Sequence, residues 1–286
     1  MSDGSGRPAD AGDAAVTGLR AIADGLDATL GPALLDQPDG VHAHRKAVRR
    51  LRSALAAYRP FFDDDAVHRL HVAYREWGRE LGAARDLEVR IAAAERFLAA
   101  DGTAPATGRL LAGLRDDYRV SHRQVVRRGV TVAAAERRAE LTAFLDAPPL
   151  TDKARRRTKR GVRRRLVKEG DRVLRRADSA AANPDDVAAL HEVRKSARRL
   201  RYAVEAVTRP PVALFGAKAK ALADAAERIH DLLGDQRDAL AFADHVEGRA
   251  GVADDAVARA RAEAAERRAD LPAAVDDLRA ALDRFR

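Results

Sequence analysis

Two widely separated stretches of this chain are close copies of each other, and that repetition constrains the fold more than any other feature. Residues 41–57 read VHAHRKAVRRLRSALAA and residues 190–206 read LHEVRKSARRLRYAVEA, with nine of seventeen positions identical at an offset of 149. The shared positions include His42/His191, Arg45/Arg194, Lys46/Lys195, Arg49/Arg198, Arg50/Arg199, Leu51/Leu200 and Arg52/Arg201. A second matched pair follows: Leu81-Gly82-Ala83-Ala84-Arg85-Asp86 and Leu233-Gly234-Asp235-Gln236-Arg237-Asp238, at an offset of 152. Ala/Arg-rich sequence can imitate local similarity, but it does not readily place His, Lys, Leu-Gly and Arg-Asp in the same order twice. The simplest account is two halves, residues 14–150 and 151–286, each a helical bundle, behind a polar tail at 1–13 that is expected to be disordered.

The elements are expected to be helices throughout. Ala, Leu, Arg and Glu dominate from Ala14 onward, and all are good helix formers. Breakers fall at Gly31-Pro32, Pro38 to Gly40, Pro60, Asp101 to Gly108, Pro148-Pro149, Asn183-Pro184, Pro210-Pro211 and Gly248 to Gly251. Alternating β-branched runs are essentially missing; the nearest, Val130 to Val132, is too short. The fold class is therefore all-α, with roughly eight to ten helices packed as bundles.

Placed on a helix at 100° per residue, the first copy puts Arg45, Lys46, Arg49 and Arg52 within about 80° of His42. Val41, Val48, Leu51, Leu55 and Tyr58 take the opposite side. The second copy aligns His191, Arg194, Lys195, Arg198 and Arg201 against Leu190, Val193, Leu200 and Val204. Each helix thus has an apolar face and a cationic stripe. Like charges at i,i+3 and i,i+4 repel by a few tenths of a kcal/mol per pair, and a bound polyphosphate or phosphate chain would reverse that sign.

Charge is segregated along the chain. Residues 42–59, 153–176 and 191–201 hold 24 bases and 3 acids, whereas the rest holds 29 bases and 41 acids. An acidic scaffold with embedded basic segments is what attraction of a polyanion at one place requires. Two further stretches are expected to join the stripes: Arg119, His122 and Arg123 with Arg115 in the first half, and Arg156, Arg160, Arg163 and Arg164 with Arg157 and Lys168 in the second.

Several function classes are excluded or disfavoured. The chain has no Cys, so no disulfide framework, thiolate metal site or Cys nucleophile is possible. Aromatics are 4 %, too few for base-stacking platforms. There is no Walker-type loop and no Gly-x-Ser-x-Gly elbow. His230-Asp231 has the form of a phosphohydrolase metal dyad, but it is not duplicated and no supporting ligand cluster accompanies it. No apolar run is long enough to span a membrane, and the first sixteen residues lack an apolar signal core, so a cytoplasmic protein is expected.

The doubled stretch, His42-Ala43-His44-Arg45-Lys46-Ala47-Val48-Arg49-Arg50-Leu51-Arg52 and His191-Glu192-Val193-Arg194-Lys195-Ser196-Ala197-Arg198-Arg199-Leu200-Arg201-Tyr202, resembles the CHAD family, the conserved histidine α-helical domains. The two Leu-Gly-x-x-Arg-Asp stretches fit as well, and the resemblance covers roughly residues 14–286. It implies two four-helix bundles related by a pseudo-twofold axis, with basic helices lining a central cavity. It also implies binding of inorganic polyphosphate and association with polyphosphate granules. The chain departs from strict symmetry at His44, where the second copy has Val193, so His44 is read as a partly exposed helix residue without a symmetric role.

On this reading the polyphosphate ligands are His42, Arg45, Lys46, Arg49, Arg50, Arg52, Arg119, His122, Arg123, Arg156, Arg160, Arg163, Arg164, His191, Arg194, Lys195, Arg198, Arg199 and Arg201. Arginines supply charge-assisted hydrogen bonds, lysines point charges, and the histidines donors that strengthen below about pH 6.5. Asp86 and Asp238 are read as partners that hold a basic side chain, and Gly82 and Gly234 as close helix contacts. No catalytic residue, metal or cofactor is expected. The alternatives are a nucleic-acid backbone binder and, with less support, a polyphosphate phosphohydrolase.

Overall fold

The computed structural model describes residues 10–98, 105–155, 158–183, 186–247 and 254–286. Among the described residues ten α-helices run in chain order: α1 Ala11–Leu34, α2 Gly40–Tyr58, α3 Asp64–Phe97, α4 Pro105–Gly129, α5 Val132–Asp146, α6 Thr158–Ala182, α7 Val187–Thr208, α8 Ala217–Val246, α9 Asp254–Ala269 and α10 Leu271–Phe285. A single 3₁₀ turn, Arg59–Phe61, follows α2. The described residues contain no strand, only one isolated bridge between Phe62 and Leu150.

Helix ends carry the expected chemistry. Asp10, Asp63, Thr131 and Asp186 cap α1, α3, α5 and α7, their side-chain oxygens accepting the N–H of Asp13, Ala66, Ala134 and Ala189. The Asp10 cap means that α1 begins inside the segment expected to be a tail. Ala11 is fully buried, and the Gly12 N–H donates to Ala154 O at 3.0 Å, so residues 11–13 are helical because they pack against the start of the second half. The Gly31-Pro32 pair also fails to stop α1. Pro32 lies in its last turn, where its missing N–H removes one hydrogen bond near the end of the helix, and the chain leaves the helix at Leu35.

The pairing of elements repeats. In the first half α1 packs on α2, α2 on α3 and α3 on α4; in the second, α6 packs on α7, α7 on α8 and α8 on α9. Each half adds a fifth, 15-residue helix, α5 or α10, which returns to α3 or α8. This repeat is compatible with a pseudo-twofold relation. The two halves meet along α2 and α7.

The apolar faces read from the sequence are the buried ones. Val48, Leu51, Leu55 and Tyr58 of α2 and Val193, Leu200 and Val204 of α7 are fully buried in a core that draws on both halves. Across that seam the Tyr58 hydroxyl donates to Ala203 O at 2.6 Å. Gly18 of α1 lets that helix touch α7: a Cβ there would sit 2.3 Å from Ala206 O, so only glycine fits. A second, smaller core joins the far ends of α3, α4, α8 and α9, with Phe97 and Phe242 stacked 4.9 Å apart. Along α3 and α8, the residues between these two cores are polar, and there the cavity forms.

Candidate functional site

A cavity of about 320 Å³ lies where α2, α3, α7 and α8 converge. The α2 and α7 stripes supply His42, Arg45 and Arg49 from one copy and His191, Arg194 and Arg198 from the other. Arg85 and Val89 of α3 form one wall, and His230, Asp231, Gly234, Asp235, Arg237 and Asp238 of α8 the other. Six arginines therefore meet three aspartates, and all three aspartates belong to α8.

The Leu-Gly-x-x-Arg-Asp motif builds these walls. Leu81 and Leu233 anchor α3 and α8 in the main core. One residue on, each glycine faces an arginine of the neighbouring helix, closely enough at Gly234 that a side chain would crowd it. A Cβ on Gly82 would lie 3.5 Å from Arg45 Nη2, and one on Gly234 would lie 3.0 Å from Arg194 Nη2. Arg85 and Arg237 then reach the cavity. Asp86 faces Arg45 at 3.5 Å, while Asp238 pairs with Arg237 at 3.2 Å and also acts favourably on Arg194. Each copy of the motif thus supplies one guanidinium and seats another.

Three of the six arginines, Arg45, Arg85 and Arg237, pair with Asp86, Glu88 and Asp238, while Arg49, Arg194 and Arg198 form no ion pair with a described residue. Burial, followed by Arg237, Arg49 and Arg45 against the opposing pull of Asp238, lowers Arg194 to about 10. Burial, then Arg49 and Arg194, lowers Arg198 to about 10 as well. Arg45 is lowered by burial and by Arg49, Arg237 and Arg85, although Asp86 opposes this. Guanidiniums from opposite halves therefore repel one another across the cavity. The buried Nε atoms of Arg49 and Arg198 have no hydrogen-bond partner. Such an arrangement is costly unless an anion occupies it.

A scan against protein-family models matches residues 19–247 to the CHAD domain. The chain belongs to the CHAD domain family. Two curated relatives, the uncharacterized proteins MT2285 and Rv2226 of two Mycobacterium tuberculosis strains, are each 28% identical over 218 residues, covering 74% of this chain and 40% of the relative. The chain thus spans about two fifths of the length of those relatives. Among solved structures, the CHAD domain from the plant Ricinus communis is similar with a TM-score of 0.69 at 22% identity, covering 97% of this chain and 94% of that one. PptA from Streptomyces chartreusis is similar with a TM-score of 0.65 at 19% identity, covering 95% and 99%. At these identities the likeness to the two structures is one of fold.

Within this CHAD domain the structure sorts the expected ligands. His42, Arg45, Arg49, His191, Arg194 and Arg198 line the cavity. The others do not. Lys46 is exposed, and the exposed Lys195 pairs with Glu192. Two buried carboxylates account for three more. Glu205 binds Arg50 at 3.0 Å and Arg201 at 3.0 Å, and Glu169 binds Arg199 at 2.8 Å together with Arg165 and Arg172. Arg199 also donates to Ala56 O at 2.6 Å, so Arg50 and Arg199 brace the seam between the halves. Arg52 lies beyond the cavity, next to Gly78.

The two auxiliary helices also point elsewhere. On α4, Arg119 pairs with Asp116, Arg123 is exposed, and His122 is buried with its Nε2 2.8 Å from Ala33 O. On α6, Arg160, Arg163 and Arg164 face outward, because Val162, Leu166 and Val173 turn the other face into the core. Arg163 lies over the Phe215 and Phe285 rings. Arg156 lies outside the described residues. The walls come instead from α3 and α8. Arg85, Arg237 and His230 were legible as candidates through the repeated Leu-Gly-x-x-Arg-Asp motif and the adjoining His-Asp pair, but no local pattern places them opposite α2 and α7.

The histidines divide into two kinds. His44 is buried rather than partly exposed: its Nε2 accepts from Trp77 Nε1 at 2.9 Å and its Nδ1 lies 3.0 Å from the Thr29 hydroxyl. Burial and nearby Arg137 hold it at about 4, so it is a neutral packing residue. At the cavity, His42 is lowered by burial and Arg85, and His191 by burial, Lys195 and Arg194. His230, held at about 4 by burial and by Arg194 and Arg198 despite its 2.9 Å contact with Asp231, is neutral. Among the described residues no group of three or more His, Asp or Glu is placed to hold a metal ion, and no helix is long and apolar enough to cross a membrane.

Proposed function

We propose that this CHAD domain binds inorganic polyphosphate in the α2/α3/α7/α8 cavity, without turning it over, and that this binding directs it to polyphosphate granules. One observation carries the reading: six arginines from four helices and both halves converge on one open-mouthed cavity, and three of them, Arg49, Arg194 and Arg198, have no ion-pair partner among the described residues. A chain of phosphates relieves that repulsion and supplies acceptors for the buried, unpartnered Nε atoms of Arg49 and Arg198. Six of the twelve ionisable groups that line the cavity are guanidiniums, which orient phosphate but exchange no proton near neutrality; this supports a binder.

Nucleic acid is the second reading, favoured by the exposed basic face of α6 with Lys159, Arg160, Arg163, Arg164 and Lys168. The cavity argues for the thinner polymer. Its volume equals that of about ten water molecules, far less than a duplex needs.

The test is calorimetric titration with long-chain polyphosphate and with duplex DNA at two salt concentrations, alongside the R45A/R49A/R198A variant. Tight polyphosphate binding that weakens with salt, weaker DNA binding and loss in the folded variant are expected. Equal affinity for both polymers, or a variant that binds normally, would sink the reading. Phosphate released during the titration would overturn its non-enzymatic part.

A further inference from the structure

The two halves repeat in sequence, but the charges around their shared cavity do not. Extending the α3/α8 match by its own offset of 152 sets Arg75 against Glu227, Gly78 against His230, Arg79 against Asp231 and Ala83 against Asp235. The consequences differ at the duplicated arginine that each helix faces. In the second half Arg201 is neutralised, its Nη2 2.6 Å from Glu227 and its Nε 3.0 Å from Glu205. In the first half Arg52 meets more positive charge: burial, then Arg75 and Arg79, lower it from the ordinary arginine value.

Arg52, Arg75 and Arg79 form no ion pair with any described residue, and the buried Arg52 Nε has no partner. Gly78 of α3 faces Arg52 there, a Cβ built on it lying 3.6 Å from Arg52 Nη1. His71 reports the same local field, held at about 4 by burial and then by Arg52 and Arg75. The patch adjoins the cavity, because Arg52 lies one turn along α2 from Arg49, which lines it. On the opposite side the carboxylates crowd: Asp235 is raised by burial and, although Arg267 opposes this, by Asp231, Asp238 and Glu263.

We propose that a polyphosphate chain leaves the cavity on the first-half side only, over Arg52, Arg75 and Arg79, and is turned away from the second-half side by Glu227, Asp231 and Asp235. This rests on the reading that the cavity holds polyphosphate. The cavity has room for a short run of phosphates; a longer chain gains its extra contacts along α3. Affinity therefore grows with chain length through residues outside the duplicated motif, and one end of the polymer lies at the acidic wall of α8.

The experiment uses the full chain, with triphosphate and long-chain polyphosphate as probes. R75E/R79E gives α3 the charge sign of α8 at two exposed positions, R75A/R79A removes charge alone, and E227Q/D231N neutralises the opposing wall. The expected result for R75E/R79E is at least a tenfold loss for the long chain and less than about threefold for triphosphate. R75A/R79A should reduce the salt slope of long-chain binding by about one to two, as for two lost phosphate contacts. E227Q/D231N should tighten long-chain binding. Unchanged long-chain affinity in R75E/R79E, or equal losses for both probes, overturns the one-sided path while leaving the cavity reading intact. Normal binding by R49A/R198A, or no binding by the unmodified chain, overturns both.

Discussion

Replacing Arg198 by Met should make the unliganded protein more stable, although it removes a residue of the proposed site. Arg198 is held at about 10, well below the ordinary arginine value, by burial and then by Arg49 and Arg194. At pH 7 the side chain is charged in both the folded and unfolded states. A lowered folded pKa means the folded protein holds that proton less tightly, so the charge is a net cost to folding. The full shift corresponds to about 3 kcal/mol; partial solvent contact reduces this to about 1–3 kcal/mol. Nothing offsets the gain, because Arg198 forms no hydrogen bond or ion pair with a described residue and Met preserves much of its apolar stem. At about 2 °C per kcal/mol for a chain of this size, Tm should rise by about 2–6 °C. Long polyphosphate at a hundredfold excess over Kd should stabilise the unmodified chain by about 2.7 kcal/mol and the variant by less. Differential scanning calorimetry with and without polyphosphate measures both effects, so the order of the two melting temperatures should narrow or invert on adding ligand. A lower Tm for folded R198M without ligand would refute the argument that the cavity stores unrelieved repulsion.

Three further outcomes follow from the same geometry. Glu169→Ala should cost about 3–5 kcal/mol in chemical denaturation, since it leaves Arg165, Arg172 and Arg199 around a buried, vacated partner position; a loss under 1 kcal/mol would mean those charges reach solvent. Gly234→Ala should weaken polyphosphate binding several-fold with little change in melting temperature, because its Cβ displaces the Arg194 guanidinium from 3.0 Å; unaltered affinity would show that Arg194 need not lie across α8. Polyphosphate affinity should rise as pH falls, because a bound anion favours protonated His42 and His191. Since both are lowered in the free protein, the rise should continue below the 6.5 expected of an unperturbed histidine, and a pH-independent affinity in H42Q/H191Q would confirm its source.

Much of this protein was legible without coordinates because helical periodicity is a local property. The repeat, the all-α class and the opposed apolar and cationic faces of α2 and α7 follow from spacing along a single helix, and Val48, Leu51, Val193 and Leu200 are buried accordingly. The Gly and Asp of the second motif could be recognised as a space-maker and a charge partner from their residue types. His44 misled because its partners, Thr29 and Trp77, lie on neighbouring helices, and no pattern on α2 distinguishes a buried acceptor from an exposed one.

What tertiary structure decided is which positive charges remain unpaired. Arg50 and Arg199 look identical in sequence to the arginines beside them, yet Glu205 of α7 and Glu169 of α6 neutralise them, because helix packing brings those carboxylates onto the seam. The same packing turns the α6 arginines to solvent and brings α3 and α8 to the cavity, with the three aspartates gathered on one wall. Periodicity determines the face on which a charge lies; only packing determines what stands opposite it, and Coulomb interactions depend on that distance rather than on separation along the chain.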